Sequence, residues 1–237
     1  MKARYAVAVL AIAMLCASTL AQENNTAGYW IKRAEELSGN GSFVDASNAY
    51  EKALQIDPNN ATIWHRQAFL LTTIGKENES IRAYERALSL FNESLEKNPR
   101  DADAWNMKGL VLISLGRPNE GRQARLKALD LFNQTIETDQ KNASAWLSKA
   151  EILAYIGQND EALKAYDKAI DLEPGEYGVM NRKAEFLSIL GRYNESAVAY
   201  NQAIERIPAN DTLNLGGMWG GKGSALYMAG RSEEALE

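Results

Sequence analysis

The side chains that usually carry chemistry are scarce in this chain of 237 residues. His65 is the only histidine and Cys16 the only cysteine, so no metal cluster built on several His or Cys ligands can form within it. His65 reads instead as a polar residue of a binding face. Carboxylate pairs such as Glu35 with Glu36, or Glu233 with Glu234, fall on helical segments where a solvated face explains them better than acid–base work. GGMWGGKGS, residues 216–224, comes close to the phosphate loop GxxxxGK[ST], in which backbone amides and a lysine cradle phosphates. Gly223 occupies its Ser/Thr slot and no strand-like run precedes it, so nucleotide binding is not expected. The chain reads as a non-enzyme, with no cofactor and no small-molecule substrate.

A second pattern concerns modification. Nine Asn-x-Ser/Thr sequons occur, at Asn24, Asn40, Asn60, Asn78, Asn92, Asn133, Asn142, Asn194 and Asn210. With 19 Asn and 22 Ser plus Thr, random placement gives about two. Some of the excess comes from duplication, since Asn92 and Asn133 hold equivalent places, as do Asn78 and Asn194. Asn-rich turn chemistry is one reading; N-glycosylation of an exported protein is the other.

The N-terminus speaks for export. Lys2 and Arg4 precede the apolar run YAVAVLAIAMLCA and the small-residue stretch STLA, the pattern of a secretory signal over 1–21 with cleavage near Ala21 and a short linker, 22–26, behind it. A membrane anchor is the alternative, but the run falls short of the ~20 residues that a spanning helix needs. Lipid attachment at Cys16 fits poorly, because Ala13, Met14 and Leu15 supply too few small residues ahead of it. The expected location is secreted or cell-surface, with membrane contact only through an uncleaved signal segment. Loss of Lys2 and Arg4 takes the formal charge from −5 to −7, and the remaining basic residues are scattered among more numerous acids. Nucleic acid is therefore not an expected partner.

What must position any binding residue is a repeat. Trp30, Trp64, Trp105 and Trp146 recur at separations of 34, 41 and 41 residues. After Trp30 come Ala34, Leu37, Gly41, Phe43, Ala46, Tyr50, Ala53, Leu54 and Pro58; after Trp146 come Ala150, Leu153, Gly157, Ala162, Tyr166, Ala169, Ile170 and Pro174. Small residues at Ala34, Gly109, Ala150, Ala184 and Gly223 suit a close helix crossing. Gly41, Gly75, Gly116, Gly157, Gly191 and Gly230 suit left-handed ends of first helices. Pro58, Pro99, Pro174 and Pro208 end second helices. A unit of this length cannot bury its own apolar face, so units must stack.

These residues resemble the tetratricopeptide repeat, a helix-turn-helix of 34 residues. The resemblance implies an all-α fold, a right-handed α-solenoid over 27–237 with repeats at about 27–60, 61–101, 102–142, 143–176 and 177–215 and a truncated sixth at 216–237. Met180 takes the Trp place in the fifth unit and Trp219 in the sixth. FNESLEKNP and FNQTIETDQ add seven residues to the second and third units, about two helical turns, so two second helices should be longer than the rest. NDTLNLGG reads as a longer loop before the sixth unit. That last unit stops at SEEALE, which fits either a fragment of a longer protein or an end that meets a partner.

In the tetratricopeptide family, first helices line a concave groove for an extended peptide or a helix. Carried over by the Trp phase, the groove positions are His65, Phe69, Asn106, Leu110, Leu147, Glu151, Tyr155, Asn181, Glu185 and Tyr227. Apolar groups suggest side-chain pockets, while Asn106 and Asn181 each offer a donor and an acceptor to a peptide backbone. One subclass clamps a ligand's terminal carboxylate with Lys, Asn, Lys and Arg; here Ile31, Glu35, Asp103 and Met107 stand in those places, so chaperone-tail recognition is not expected. The expected function is an extracytoplasmic protein-protein interaction or assembly scaffold whose partner is a protein or peptide. The alternatives are the repeat region of a longer enzyme, such as a glycosyltransferase or protease, and a structural cell-surface component. In style the chain resembles an archaeal surface protein.

Overall fold

The computed structural model describes residues 26–208 and 211–235. The signal segment 1–21 with Cys16, and the sequon asparagines Asn24 and Asn210, lie outside the described residues. Among the described residues there are eleven helices and no strand, an all-α helical repeat solenoid. The first helices of successive repeats are α1 (Ala27–Gly39), α3 (Ala61–Thr73), α5 (Ala102–Ser114), α7 (Ala143–Tyr155), α9 (Tyr177–Ile189) and α11 (Thr212–Met228). The second helices are α2 (Phe43–Ile56), α4 (Glu77–Lys97), α6 (Pro118–Thr138), α8 (Asn159–Leu172) and α10 (Tyr193–Ile204). They fall into two compact units, one of residues up to 96 with 114–116, the other of 97–113 with 117 onward.

In the first unit Ala34 and Ala46 are completely buried where α1 meets α2, and the core continues through Tyr50, Ala53, Leu54, Ile63 and Leu70, with Trp30 and Trp64 against it. Only small side chains let two helix axes come this close. In the α3/α4 pair Ser80 replaces the second alanine, and its Oγ donates to the Ala68 carbonyl at 2.8 Å and meets Thr72 Oγ1 at 2.6 Å. The hydroxyl is thereby satisfied inside the crossing, as a buried polar group must be.

In the second unit Ala150, Ala162, Tyr166, Ala184 and Tyr200 repeat the scheme, and Met180 is buried in the Trp place. Ser196 mirrors Ser80, with its Oγ 2.8 Å from the Ala184 carbonyl and 2.6 Å from Ser188 Oγ. The α5/α6 crossing is built on two glycines, Gly109 and Gly121. A Cβ on Gly109 would sit 2.4 Å from Arg125 Cγ and 2.8 Å from the Gly121 carbonyl oxygen, so both small positions have contracted to glycine.

The turns follow from local chemistry. Each glycine that follows a first helix has φ between 73° and 83°, the region that L side chains avoid. At Gly41 the amide donates to the Ser38 carbonyl and that of Ser42 to the Leu37 carbonyl, closing the helix end. Between repeats, Trp Nε1 donates to a carbonyl six residues back: Trp64 to Pro58 at 2.8 Å, Trp105 to Pro99 at 3.0 Å and Trp146 to Gln140 at 3.1 Å. The Trp period is thus a register of loop anchors as well as of core positions.

The seven-residue insertions extend α4 and α6 to 21 residues each, against 12 to 14 for the other second helices. Leu90, Phe91 and Leu95 in α4, and Leu131, Phe132 and Ile136 in α6, carry the buried stripe into the added turns. The other insertion departs from expectation. NDTLNLGG is mostly helix rather than loop: α11 begins at Thr212 and runs for 17 residues against 13 in the other first helices. Asp211 caps it, accepting from the Asn214 amide at 3.4 Å and from Tyr177 Oη at 2.7 Å.

Candidate functional site

In the first unit a cleft of about 330 Å³ opens between α1 and α3, lined by Glu35, Ser38, Tyr50, His65, Arg66, Phe69 and Leu70. Phe69 is 60% exposed on its rim. His65 is half-buried, tilted against the Tyr84 ring at 5.9 Å, and its Nδ1 is buried with no hydrogen-bond partner. Burial first, and then the Arg66 charge, hold its pKa below the ordinary imidazole value, so the ring is neutral at pH 7 and one of its nitrogens is an acceptor. Arg66 closes one side through Glu35 and reaches Tyr50 Oη at 3.5 Å.

In the second unit the first-helix face is largely pre-paired. Asn106 is buried, not lining, because its Oδ1 accepts from Arg125 Nε at 3.1 Å. Arg125 stands where the other repeats carry Tyr50, Tyr84, Tyr166 and Tyr200. It is 5% exposed, gives a second hydrogen bond to the Glu151 carbonyl at 3.2 Å, and lies 4.3 Å from the centre of the Tyr155 ring. The Arg182 guanidinium meets Glu151 at 2.5 Å, and Asn181 Nδ2 donates to Glu185 at 2.8 Å on its own helix. Leu110 and Leu147 are half-buried, whereas Tyr155 and Tyr227 keep 40% and 66% of their surface exposed. Sequence reasoning missed Arg125, although the Trp phase, which places a tyrosine twenty residues after most of its members, was enough to find it.

Sequence models of the tetratricopeptide repeat match residues 27–60, 49–82, 90–123, 125–176 and 147–211. The chain belongs to the tetratricopeptide repeat family. Solved structures agree on the fold. A thermophilic tetratricopeptide repeat protein in Thermus thermophilus is 20% identical, covering 85% of this chain and 99% of its own, with a TM-score of 0.55. A tetratricopeptide repeat protein from Parabacteroides merdae is also 20% identical, covering 88% and 74%, with a TM-score of 0.50. No curated protein matches the sequence. Proteins of this family generally serve as non-catalytic scaffolds for protein–protein interaction, which fits the paucity of reactive side chains.

For this tetratricopeptide repeat chain, the near-match to a phosphate loop dissolves into helix. Residues 216–224 lie inside α11, whose amides are committed to intrahelical bonds, and Lys222 donates to Asn201 at 3.0 Å while lying over the Trp219 ring. Among the described residues no group of three or more His, Cys, Asp or Glu gathers as metal ligands would, and no helix is long and apolar enough to cross a membrane.

Several sequons have structural work to do. Asn60 and Asn142 are N-caps, accepting from the Ile63 and Ala145 amides at 3.2 and 2.9 Å, and Asn60 Nδ2 is spent on Asp57. Asn78 and Asn194 are exposed, but their partners Ser80 and Ser196 are the buried serines of the helix crossings. Asn92 and Asn133 are half-buried on the extended second helices. Asn40, exposed at the end of α1, is the least encumbered of the seven that are described.

Proposed function

We propose that this chain is an exported interaction scaffold that takes an extended peptide or a helix against its first helices. The observation that carries the reading is the cleft beside Phe69. A large apolar ring stands 60% exposed over a recess of about 330 Å³ next to a buried imidazole nitrogen without a partner. An apolar side chain would fill the recess beside the exposed Phe69 ring. The neutral His65 ring and the Arg66–Glu35 pair leave little net charge there, so recognition rests on shape and apolar area. Affinity in the micromolar range, about −8 kcal/mol, suits a flexible ligand that loses ordering entropy on binding.

Export is supported by Lys2, Arg4 and the apolar run that follows, and modification by the excess of sequons. The accessible acceptor at Asn40 is the expected first glycan site among the described residues. The test is selection of random displayed peptides on the purified protein, followed by the Phe69→Ala variant. Enriched peptides that lose at least about tenfold in affinity on truncation support the cleft; no enrichment, or binding indifferent to Phe69, removes the assignment.

A further inference from the structure

A second recess lies on the side of the second helices, in the second unit, and its chemistry differs from that of the cleft beside Phe69. It is a groove of about 600 Å³ between α6 and α8 with α7 as its floor. Leu129, Trp146, Leu153 and Ala165 make the base apolar, while Lys149, Lys164 and Lys168 stand along it. None of these lysines is within 4.0 Å of a carboxylate among the described residues; Lys149 lies over the Trp146 ring at 5.1 Å, and Lys164 and Lys168 make no polar contact there. Glu161 is the one acid in the lining. Asn133, which also lines the groove, has a buried Oδ1 that accepts no hydrogen bond.

The equivalent groove in the first unit has a smaller excess of positive charge and more of it is engaged. There, over Trp64, the volume is about 470 Å³, and Lys76, Arg82 and Arg86 replace Gln158, Lys164 and Lys168. Lys76 is paired with Glu79 at 3.5 Å, Arg86 is spent on Asn59 at 3.1 Å, and Glu51 adds a further acid. That groove sets three cations, Lys76, Arg82 and Arg86, against two acids, Glu51 and Glu79, and two of the three cations are engaged. The one over Trp146 keeps a larger excess of positive charge around an apolar base, in a chain whose formal charge is −5.

We infer that the groove between α6 and α8 binds an acidic peptide segment carrying an apolar anchor residue. The anchor would occupy the base formed by Trp146, Leu129 and Leu153, and carboxylates on either side of it would meet the lysines. Lys164 and Lys168 are one helical turn apart, about 6 Å along α8, a spacing that side chains of one extended or helical peptide can match. The apolar base takes a side chain, which a peptide carries and a phosphate backbone does not. This site is independent of the Phe69 cleft and survives if that reading fails.

The test measures fluorescence anisotropy of a short fluorescein-labelled peptide with a central Leu-Trp pair flanked by glutamates, and of the same peptide flanked by lysines. Phosphatidylserine vesicles and heparin serve as competitors. The expected result is saturable binding of the glutamate peptide alone, weakened by added salt and by about tenfold in the Lys164→Glu/Lys168→Glu variant. Lys76→Glu/Arg86→Glu, in the other groove, should leave it unchanged, as should Phe69→Ala. Equal binding of the lysine peptide, indifference to Lys164→Glu/Lys168→Glu, or displacement of the peptide by vesicles or heparin at lower concentration than unlabelled peptide would overturn the inference.

Discussion

Gly109→Ala should destabilise this protein, although alanine is the better helix former. In α5 the substitution gains about 1 kcal/mol of helix propensity. Against that gain, the new Cβ would lie 2.4 Å from Arg125 Cγ and 2.8 Å from the Gly121 carbonyl oxygen. The second contact is with backbone on α6, which cannot swing aside as a side-chain tip can, so the α5/α6 crossing must open. Overpacking of this kind costs about 1–3 kcal/mol, and a clash with backbone belongs at the upper end, which leaves a net loss of about 2 kcal/mol. Gly216 and Gly217 provide the contrast, since a Cβ on either meets nothing within 4 Å although both lie inside α11. Alanine there should stabilise by about 1 kcal/mol each. Urea titrations followed by far-ultraviolet circular dichroism separate the two cases, with a midpoint lowered by about 1 M for Gly109→Ala at an m value of about 2 kcal/mol/M. A Gly109→Ala midpoint at or above that of the parent would refute the close-crossing argument.

Three further outcomes follow from particular contacts. Arg125→Ala should cost about 3 kcal/mol in the same titration, because it leaves Asn106 Oδ1 and the Glu151 carbonyl without their donor and opens a cavity; Arg125→Lys should recover little, lacking the planar fork. Trp146→Phe keeps an aromatic ring but removes the hydrogen bond to the Gln140 carbonyl, and should lower stability by about 1 kcal/mol. His65 has a folded pKa below its unfolded one, so the unfolded chain binds the proton more readily. Its contribution is present above about pH 6.5 and is lost as pH falls through the folded value. As the sole histidine it should account for most of the stability lost between pH 7.5 and 5; His65→Gln should flatten that window in denaturation midpoints, and an unchanged slope would contradict it.

The fold was legible because its determinants are local and repeated. Trp, small residue, glycine and aromatic recur in phase, and each plays one physical part, as loop anchor, close crossing, left-handed turn and core filler respectively. The seven-residue insertions were legible as lengthened helices because they preserve the buried stripe. NDTLNLGG was not, since its Asn, Asp and Gly content looks like loop chemistry, whereas Asp211 turns out to be a cap and the glycines lie within the helix. At the candidate site, the exposure of Phe69 and the unpartnered nitrogen of His65 depend on neighbours from other helices, which no spacing rule reports. Asn106 looked like a groove residue from its phase alone, but the arginine that replaces a tyrosine at position 125 buries and engages it. Sequons also carry a second meaning: an asparagine at a helix start, or a serine at a crossing, completes Asn-x-Ser/Thr while serving the fold.

The central claim is that ligand lies on the first helices, and amide chemical-shift mapping tests it most directly. With isotope-labelled protein whose α6/α8 groove is blocked by Lys164→Glu/Lys168→Glu, and a peptide selected on that variant, the account predicts shifts concentrated on α1 and α3 around Glu35, His65, Arg66 and Phe69, lost in Phe69→Ala. Shifts confined to the second helices, with His65 and Phe69 unmoved, would contradict it.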